Sequence, residues 1–290
     1  MTTNGYDDLV GRCAWLALDR DVLRVAGPDA MGYLQGQVSQ DVEALAAGAS
    51  AWSLVLQPQG RIDAWVRITR VAEDEAVLDV DSGFGPALAA RLAHFKLRVK
   101  VDIDPLPWRC LAVRGPAAAP SLPGPDDLIA AAPWPLVGGW DRLGPDPAAP
   151  AGIAPVDAGA FEVRRIEAGL PRMGAELTDR TIPAEAGIVD VSVSFTKGCY
   201  TGQELVARID SRGGHVPRRL RGLRFPPGAA LPAPGSDVEV DGRPVGTVTS
   251  AALHPAGHVV ALAYVARAVV PPATGTCGDG PVLIGAVPPE

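Results

Sequence analysis

The stretch FTKGCYTGQELVAR (residues 195–208) lies where the sequence changes from one kind of pattern to another. Upstream of it, segments with strand-like alternation are interspersed with segments whose apolar residues recur at helical spacing. Downstream, from about residue 216, only short strand patterns and turns follow, among them a type I′ turn predicted at Asp241-Gly242. We therefore expect an α+β region over residues 1–215 and a small β-barrel or sandwich over residues 216–290.

The upstream region mixes strands and helices without the regular βαβ repeat of a doubly wound sheet. A Pro/Ala/Gly-rich excursion, in which loops dominate, interrupts it at about residues 115–160. Before that excursion we predict a strand from Trp15 to Val25, a helix opening at Pro28, a hairpin turning at Pro58 and Gly60, and a helix over 86–95. A strand follows, with Leu97, Val99, Val101 and Ile103 on one face and Lys96 and Lys100 facing solvent. After the excursion we predict a helix that ends at Gly169.

Composition excludes several classes of protein. The net charge of -7 disfavours a general nucleic-acid binder, and no apolar run is long enough to cross a membrane. Because the N-terminus also lacks a leader pattern, we expect a cytoplasmic protein. The four cysteines lie far apart, and Pro255 and Gly257 rule out a helix that would align His254 with His258, so we predict no metal site.

The opening stretch places a thiol beside features that stabilise a thiolate. Thr201 and Glu204 have the spacing of a capping box, which predicts a helix start two residues after Cys199. The positive end of that helix and the ammonium of Lys197 would both favour the ionised thiol. Two alternatives stay open: Cys199 is a small buried apolar residue, and Glu204 is a cap and nothing more.

Two acidic residues are further candidates. Glu167 falls near the end of a predicted helix, where the helix dipole disfavours a carboxylate, so a ligand or a cation is expected beside it. A salt bridge to Arg164 is the simpler alternative. Asp63 alternates with the apolar residues of its hairpin, and this pattern favours a solvated strand position over a functional one.

Several segments together resemble a known family. KGCYTGQE (197–204), RIEAGLPRMGAELTDRTIPAE (165–185), GPDAMGYLQGQVSQD (27–41) and the barrel segment 245–265 resemble the YgfZ-type folate-binding proteins. These are relatives of the glycine cleavage T-protein and assist the assembly or repair of iron–sulfur clusters. The resemblance implies two α+β lobes and a C-terminal β-barrel around a central channel that binds tetrahydrofolate or a related folate.

The resemblance also implies roles for individual residues. Glu167 matches the glutamate that hydrogen-bonds the pterin in the T-protein relatives, and a carboxylate suits the two donors of an aminopyrimidine edge. Cys199 and Lys197 are implied as the catalytic pair at the channel mouth. The remaining residues implied to bind the cofactor are Arg165, Phe161, Tyr33, Gln35, Tyr200, Gln203 and Arg208.

Three functions fit this resemblance. The first is a folate-dependent factor whose partners are iron–sulfur assembly or client proteins. The second is an aminomethyltransferase acting on a lipoyl carrier protein, which would need a catalytic aspartate in the hairpin that holds Asp63. The third is a scaffold without catalytic activity that senses folate. Whether the chain is an enzyme therefore stays open at this point.

Overall fold

The computed structural model describes residues 5–119, 124 and 126–287. Parts of the Pro/Gly-rich excursion and the last three residues of the predicted barrel region lie outside the described residues. The described chain forms two five-stranded sheets, with helices packed against them, and one closed six-stranded barrel. This is the expected α+β arrangement with a C-terminal barrel.

The first sheet has the strand order β3-β4-β5-β2-β6 and is antiparallel throughout. The predicted hairpin is confirmed as its β3–β4 pair. Its strands and the helices beside them are β2 (Arg20–Ala26), α2 (Ala30–Gln37), β3 (Ser50–Leu56), β4 (Ile62–Ala72), β5 (Glu75–Asp81), α3 (Gly85–His94) and β6 (Asp102–Leu106).

The second sheet has the strand order β10-β1-β7-β9-β8, and its β1 and β10 strands are parallel. The predicted single strand from Trp15 to Val25 is divided, because the chain leaves one sheet after Leu18 and enters the other at Arg20. The elements of this part are α1 (Tyr6–Gly11), β1 (Ala14–Leu18), β7 (Arg109–Arg114), β8 (Leu128–Ala132), β9 (Gly139–Gly144), β10 (Ala154–Pro155) and α4 (Ala158–Glu167).

Three short helices lead to the barrel: α5 (Pro183–Ala186), α6 (Val189–Ser192) and α7 (Gln203–Ser211). The barrel closes in the order β11-β14-β13-β12-β15-β16, which leaves no open edge. Asp241 and Gly242 both have positive φ angles, as the predicted type I′ turn requires. The barrel strands are β11 (Arg218–Arg224), β12 (Asp237–Val240), β13 (Arg243–Leu253), β14 (Val259–Ala266), β15 (Ala273–Cys277) and β16 (Gly280–Gly285).

The predicted strand around residues 97–103 is wrong over its first half. Regular pairing begins only at Asp102, and Arg98 has a φ of 57°, which interrupts extended backbone. As a result Leu97 is 76% exposed instead of facing the core. No helix in the described part of the chain is long and apolar enough to cross a bilayer.

A buried network of charged side chains joins the two sheets. Arg67 on β4 is fully buried and binds Asp79 on β5 at 2.9 Å and Asp141 on β9 at 2.6 Å. Arg20 on β2 also reaches Asp79, at 2.7 Å, and Arg114 on β7 binds Asp141 at 2.6 Å. Burial alone would raise the pKa of Asp141, but Arg114 and Arg67 outweigh it and hold this pKa well below its usual range.

Candidate functional site

A cavity of about 940 Å³ lies between the two sheets, α4 and the barrel. Its volume is in the range of sites for small organic ligands. The residues that line it are Leu16, Ala17, Leu18, Asp19, Arg20, Trp52, Trp65, Asp81, Ser82, Arg114, Asp141, Ala158, Gly159, Phe161, Glu162, Arg165, Leu170, Pro171, Arg172, Met173, Gly174, Ala175 and Ala251. We call it the central cavity.

Two tryptophans of the first sheet form an aromatic wall of the central cavity. Trp52 stacks on Trp65 with ring centroids 4.3 Å apart and an angle of 21°. The guanidinium groups of Arg20 and Arg67 lie 5.7 and 5.5 Å from the Trp52 ring. Trp65 donates its indole N–H to Ser192 at 2.9 Å, whereas the buried Nε1 of Trp52 has no acceptor in the described part of the chain. The wall therefore consists of stacked indole rings beside guanidinium groups, and the unpaired Nε1 of Trp52 is itself buried.

Helix α4 presents the polar side of the central cavity. Asp157 caps this helix by accepting the N–H of Ala160 at 2.6 Å. Glu162 and Arg165 form a bidentate pair with two contacts of 2.8 Å. Burial raises the pKa of Glu162, but the pairing with Arg165 outweighs it, and the resulting pKa lies below its usual range. Glu162 is therefore an ionised carboxylate at the wall of the cavity.

Glu176 connects this helix to the barrel. Its fully buried carboxylate accepts from Arg165 at 3.1 Å on one oxygen, and from Thr249 at 2.7 Å and Ser250 at 2.6 Å on the other. Both hydroxyls belong to β13. The position of Arg165 in the central cavity is therefore set by contacts that reach from α4 into the barrel.

Of the residues implied to bind the cofactor, Phe161 and Arg165 line the central cavity and Glu167 does not. The structure therefore places Glu167 outside this cavity, and its role in binding a cofactor stays a prediction. At about 100° per residue, the helix turns Glu167 roughly opposite to the face that holds Phe161, Glu162 and Arg165. Glu162 was missed by the sequence analysis, although its three-residue spacing from Arg165 places the two side chains on one side of a helix.

Glu167 instead joins three elements outside the central cavity. Its carboxylate accepts from Tyr6 of α1 at 2.6 Å and from Arg164 at 3.2 Å, and lies 3.4 Å from Nε2 of His254. Burial and then Glu167 raise the pKa of the Tyr6 phenol well above its usual value. The simpler alternative of a salt bridge between Arg164 and Glu167 is therefore present in the structure.

The two residues of α2 implied to bind the cofactor are also occupied elsewhere. Tyr33 is buried, and its hydroxyl donates to the carbonyl of Leu92 at the end of α3. Gln35 accepts the N–H of Val42 at 2.9 Å and donates to Asp41 at 2.9 Å, which shapes the loop after α2. Neither Tyr33 nor Gln35 lines the central cavity.

The segment Lys197–Glu204 forms a tight loop with an exposed thiol. Cys199 is exposed, and helix α7 begins only at Gln203. The predicted capping box is wrong, because Gly202 occupies the N-cap position with a φ of 83° and no side chain caps the helix. Gln203 instead accepts the N–H of Tyr200 at 3.1 Å. Arg208 is exposed on the same helix.

Lys197 ties this loop to the end of α2. Its ammonium donates to the backbone carbonyls of Gln35, Val38 and Gln40 at 2.5, 2.7 and 3.0 Å. Burial lowers the pKa of Lys197 to about 8. Because an ammonium has three donors and all three are used, Lys197 positions the backbone beside Cys199, and none of its N–H groups remains for the thiol.

Tyr200 completes the loop from its buried side. Its ring lies 5.2 Å from the Lys197 ammonium, and burial raises its pKa to about 12. None of the five residues Lys197, Cys199, Tyr200, Gln203 and Arg208 lines the central cavity. The thiol and the cavity are therefore two separate features of the molecule, where the sequence analysis expected one site.

The barrel hairpin between β13 and β14 brings His254 and His258 together. Pro255 and Gly257 do prevent a helix, but they lie in a turn in which the N–H of His254 donates to the carbonyl of His258 at 2.8 Å. Ligand atoms of Glu167, His254 and His258 lie within 4.8 Å of one another. The reasoning that kept the two histidines apart is therefore wrong.

The arrangement nevertheless suits a tether better than a metal site. The two imidazole rings are stacked 4.1 Å apart with an angle of 22°, so their in-plane lone pairs do not meet at one point. Nδ1 of His254 accepts the N–H of Ala256 at 3.0 Å, so a neutral ring carries its proton on Nε2, which faces Glu167. A metal ligand would need that nitrogen deprotonated.

The buried His258 makes the barrel hairpin sensitive to acid. Burial lowers the pKa of His258, as do His254 and Arg224, while Glu167 acts in the opposite direction. Below about pH 6.5 the unfolded chain takes up a proton that the folded His258 resists, so the free energy of unfolding falls as the pH falls.

We therefore expect His258→Gln to reduce the loss of stability between pH 7.5 and 5.5, measured by urea unfolding at each pH. His94→Gln is the matched control, because His94 is exposed at the end of α3. The same pH dependence in both variants and in the unmodified chain would contradict this account.

Comparison with known proteins gives relatives for the barrel and for about two thirds or more of the chain. Residues 218–276 match the model of the glycine cleavage T-protein C-terminal barrel domain. An uncharacterized protein of Haemophilus influenzae is 30% identical over 200 residues, with 67% of each chain covered. The iron-sulfur cluster assembly factor IBA57, mitochondrial, of Homo sapiens is 32% identical over 248 residues, covering 76% of this chain and 69% of that one.

The fold has a solved counterpart. The glycine cleavage system aminomethyltransferase T from Bartonella henselae superposes with a TM-score of 0.83, covering 99% of this chain and 89% of that chain. At 21% sequence identity this similarity concerns the fold. The chain spans about two thirds of the length of the two sequence relatives.

Proposed function

The chain belongs to the family of the iron–sulfur cluster assembly factor IBA57, within the glycine cleavage T-protein superfamily; on that premise we propose that it binds a folate and assists assembly or repair of iron–sulfur proteins. In this proposal tetrahydrofolate or a related folate occupies the central cavity, and the thiol of Cys199 acts on the cluster or on a sulfur group of a partner protein. The observation that carries it is one chain holding both a ligand-sized cavity with an aromatic wall and an exposed thiol on a fixed loop.

The side chains of the central cavity suit a folate. Trp52 lines the cavity with indole surface beside the Arg20 guanidinium, which suits a flat, polar pterin. Glu162 offers carboxylate oxygens for the donors of an aminopyrimidine edge, in the role that the sequence analysis gave to Glu167. When bound, the folate would supply one-carbon or redox chemistry, while the chain's own residues hold and orient it.

Folate binding is tested by titrating tetrahydrofolate into the purified chain and two variants. Trp52→Ala is expected to weaken the affinity about tenfold, since an aromatic pair contributes on the order of 1 kcal/mol beyond its buried area. Glu162→Gln removes a charge-assisted acceptor and is expected to weaken it by a similar factor.

Glu167→Gln serves as the control, because this residue is an acid of the same helix that lies outside the central cavity. Unchanged affinity is expected for it. If Glu167→Gln weakened binding and Glu162→Gln did not, the folate would lie elsewhere and the assignment of the central cavity would be wrong.

Transfer of an aminomethyl group is the weaker second function. It would need a carboxylate at the hairpin position of Asp63, but Asp63 pairs with Arg91 at 3.2 Å and does not line the central cavity. Formation of methylenetetrahydrofolate with a lipoyl carrier protein would restore this alternative. We also propose that the protein is cytoplasmic. All four cysteines are free thiols, and this favours a reducing compartment.

The cellular role is tested by removing the gene from its host. We expect lowered activity of iron–sulfur enzymes, restored by the full chain. Normal activity of all iron–sulfur enzymes without the protein would contradict the role in assembly or repair, whatever the result of the folate titration.

A further inference from the structure

The loop between α3 and β6 concentrates positive charge and apolar surface in an acidic protein. Residues 94–100 read HFKLRVK and contain three cations and no acid, although the chain has a net charge of -7. Two of the three lysines of the chain, Lys96 and Lys100, lie here. We call residues 94–100 the basic segment.

Apolar side chains of the basic segment face solvent among these cations. Leu97 is 76% exposed and Phe95 is 40% exposed. One face of the Phe95 ring is covered by the guanidinium of Arg91, 4.0 Å from its centroid. An exposed leucine and phenylalanine that alternate with cations along one segment give this surface the mixed apolar and basic character of an interaction site.

Most of this positive charge has no carboxylate partner in the part of the chain that the structure describes. The ammonium of Lys96 lies 3.8 Å from the carboxylate of Asp102, and the Asp102 side chain is exposed. No carboxylate of the described residues lies within ion-pair distance of the side chains of Arg98 or Lys100. Asp29 is near, but its carboxylate accepts the backbone N–H of Lys100 at 2.7 Å.

The basic segment is held in place at both ends. Leu92, just before it, accepts the hydroxyl of Tyr33, and Lys100 is bound to Asp29 at the start of α2. Arg98 between these anchors adopts a φ of 57°, an uncommon conformation for a residue with a side chain. The exposed residues are therefore presented by a fixed loop, which lowers the entropy cost of binding.

One helix joins the basic segment to the thiol. Helix α2 is about 12 Å long, its first turn meets Lys100, and its last residues accept the ammonium of Lys197, two residues before Cys199. A protein seated on the basic segment would therefore be near the exposed thiol.

We propose that the basic segment is the docking surface for an acidic protein that exchanges iron–sulfur clusters with this chain. The partner presents carboxylates to Lys96, Arg98 and Lys100 and an apolar recess to Leu97. That the partner exchanges iron–sulfur clusters rests on the proposed function, whereas its acidic charge and its apolar recess are inferred from the surface of the basic segment. A protein partner is favoured over an anionic membrane because α2 leads from this surface to the loop that holds the thiol.

The partner is first captured with a photo-crosslinking amino acid at Leu97 in the full chain, in living cells. The same amino acid at Val270, which is 75% exposed on the barrel, is the matched control. The protein captured only from position 97 is then purified and titrated against the full chain at two salt concentrations.

We expect this protein to be acidic and its affinity to fall with salt. Replacing Lys96, Arg98 and Lys100 together by glutamate is expected to weaken binding about tenfold or more. The matched control replaces Arg109, Arg180 and Arg243 by glutamate, three exposed arginines outside the segment, and is expected to change the affinity less than twofold.

Three results would overturn the inference. The first is that no protein is captured specifically at position 97, and the second is that both triple variants bind the partner with equal affinity. The third is that the unmodified chain binds no protein but binds phosphatidylcholine vesicles that contain phosphatidylserine. Cys199→Ala is expected to keep the docking affinity. If the partner still binds but the activity of iron–sulfur enzymes does not depend on the chain, the docking surface would be correct and the proposed function wrong.

Discussion

Cys199→Ala is expected to abolish the restoration of iron–sulfur enzyme activity by the chain in cells that lack the protein. The thiol is exposed, so its removal breaks no buried contact, and the free energy of unfolding should change by less than about 0.5 kcal/mol. Lys197 and Gln203 hold the loop backbone through their own hydrogen bonds and do not depend on the thiol. Function and stability should therefore separate in this variant.

The measurement compares iron–sulfur enzyme activity in cells carrying the chain, Cys199→Ala, Cys199→Ser or Cys13→Ala. Cys13 is a half-buried cysteine outside the loop, and its variant should restore activity fully. Cys199→Ser keeps the shape without a sulfur and should fail like alanine. Full activity of Cys199→Ala would rule out a chemical role of the thiol and favour the scaffold function, in which a partner binds without reaction.

Asp79→Ala is expected to lower the free energy of unfolding by about 3–5 kcal/mol, the largest effect on stability that we predict. Asp79 is fully buried and accepts from Arg67 at 2.9 and 3.0 Å and from Arg20 at 2.8 Å. Its removal leaves two buried guanidinium groups short of a counter-charge, since among the described residues Arg67 then pairs with Asp141 alone and Arg20 with Asp81 alone.

Urea unfolding of purified protein measures this effect, with Asp146→Ala as the matched control. Asp146 binds Arg109 at 3.1 Å, but these side chains are 83% and 71% exposed, so the loss should stay within about 0.5 kcal/mol. A loss below about 1 kcal/mol in Asp79→Ala would mean that water or rearranged side chains replace the carboxylate. Because Arg20 and Asp81 line the central cavity, a real loss should also weaken folate binding.

Local patterns predicted most of the secondary structure correctly. The β3–β4 hairpin, helix α4 and the Asp241-Gly242 turn follow from alternation, helical spacing and turn chemistry, which act between near neighbours in the chain. Prediction failed at residues 97–101, where alternation indicated a strand. The left-handed Arg98 and the bonds of Lys100 to the start of α2 depend on contacts with a distant segment.

The candidate site was predicted only in part, for a related reason. Family resemblance pointed to Glu167 of helix α4, whereas the acid of that helix that lines the central cavity is Glu162, because a helix turns the two residues to nearly opposite sides. Lys197 was expected to act on the neighbouring thiol, but it binds carbonyls about 160 positions earlier in the chain. No spacing rule within residues 195–208 could have indicated those acceptors.

By itself, the sequence determined the α+β region, the barrel and the family, because these depend on periodicity and on short motifs. Only the tertiary structure decided that the cavity and the thiol are separate, that Glu162 and not Glu167 faces the cavity, and that the basic segment is exposed. The physical reason is that the direction of a side chain and the identity of its partner depend on packing between segments far apart in the chain. Local sequence specifies only the backbone from which those side chains project.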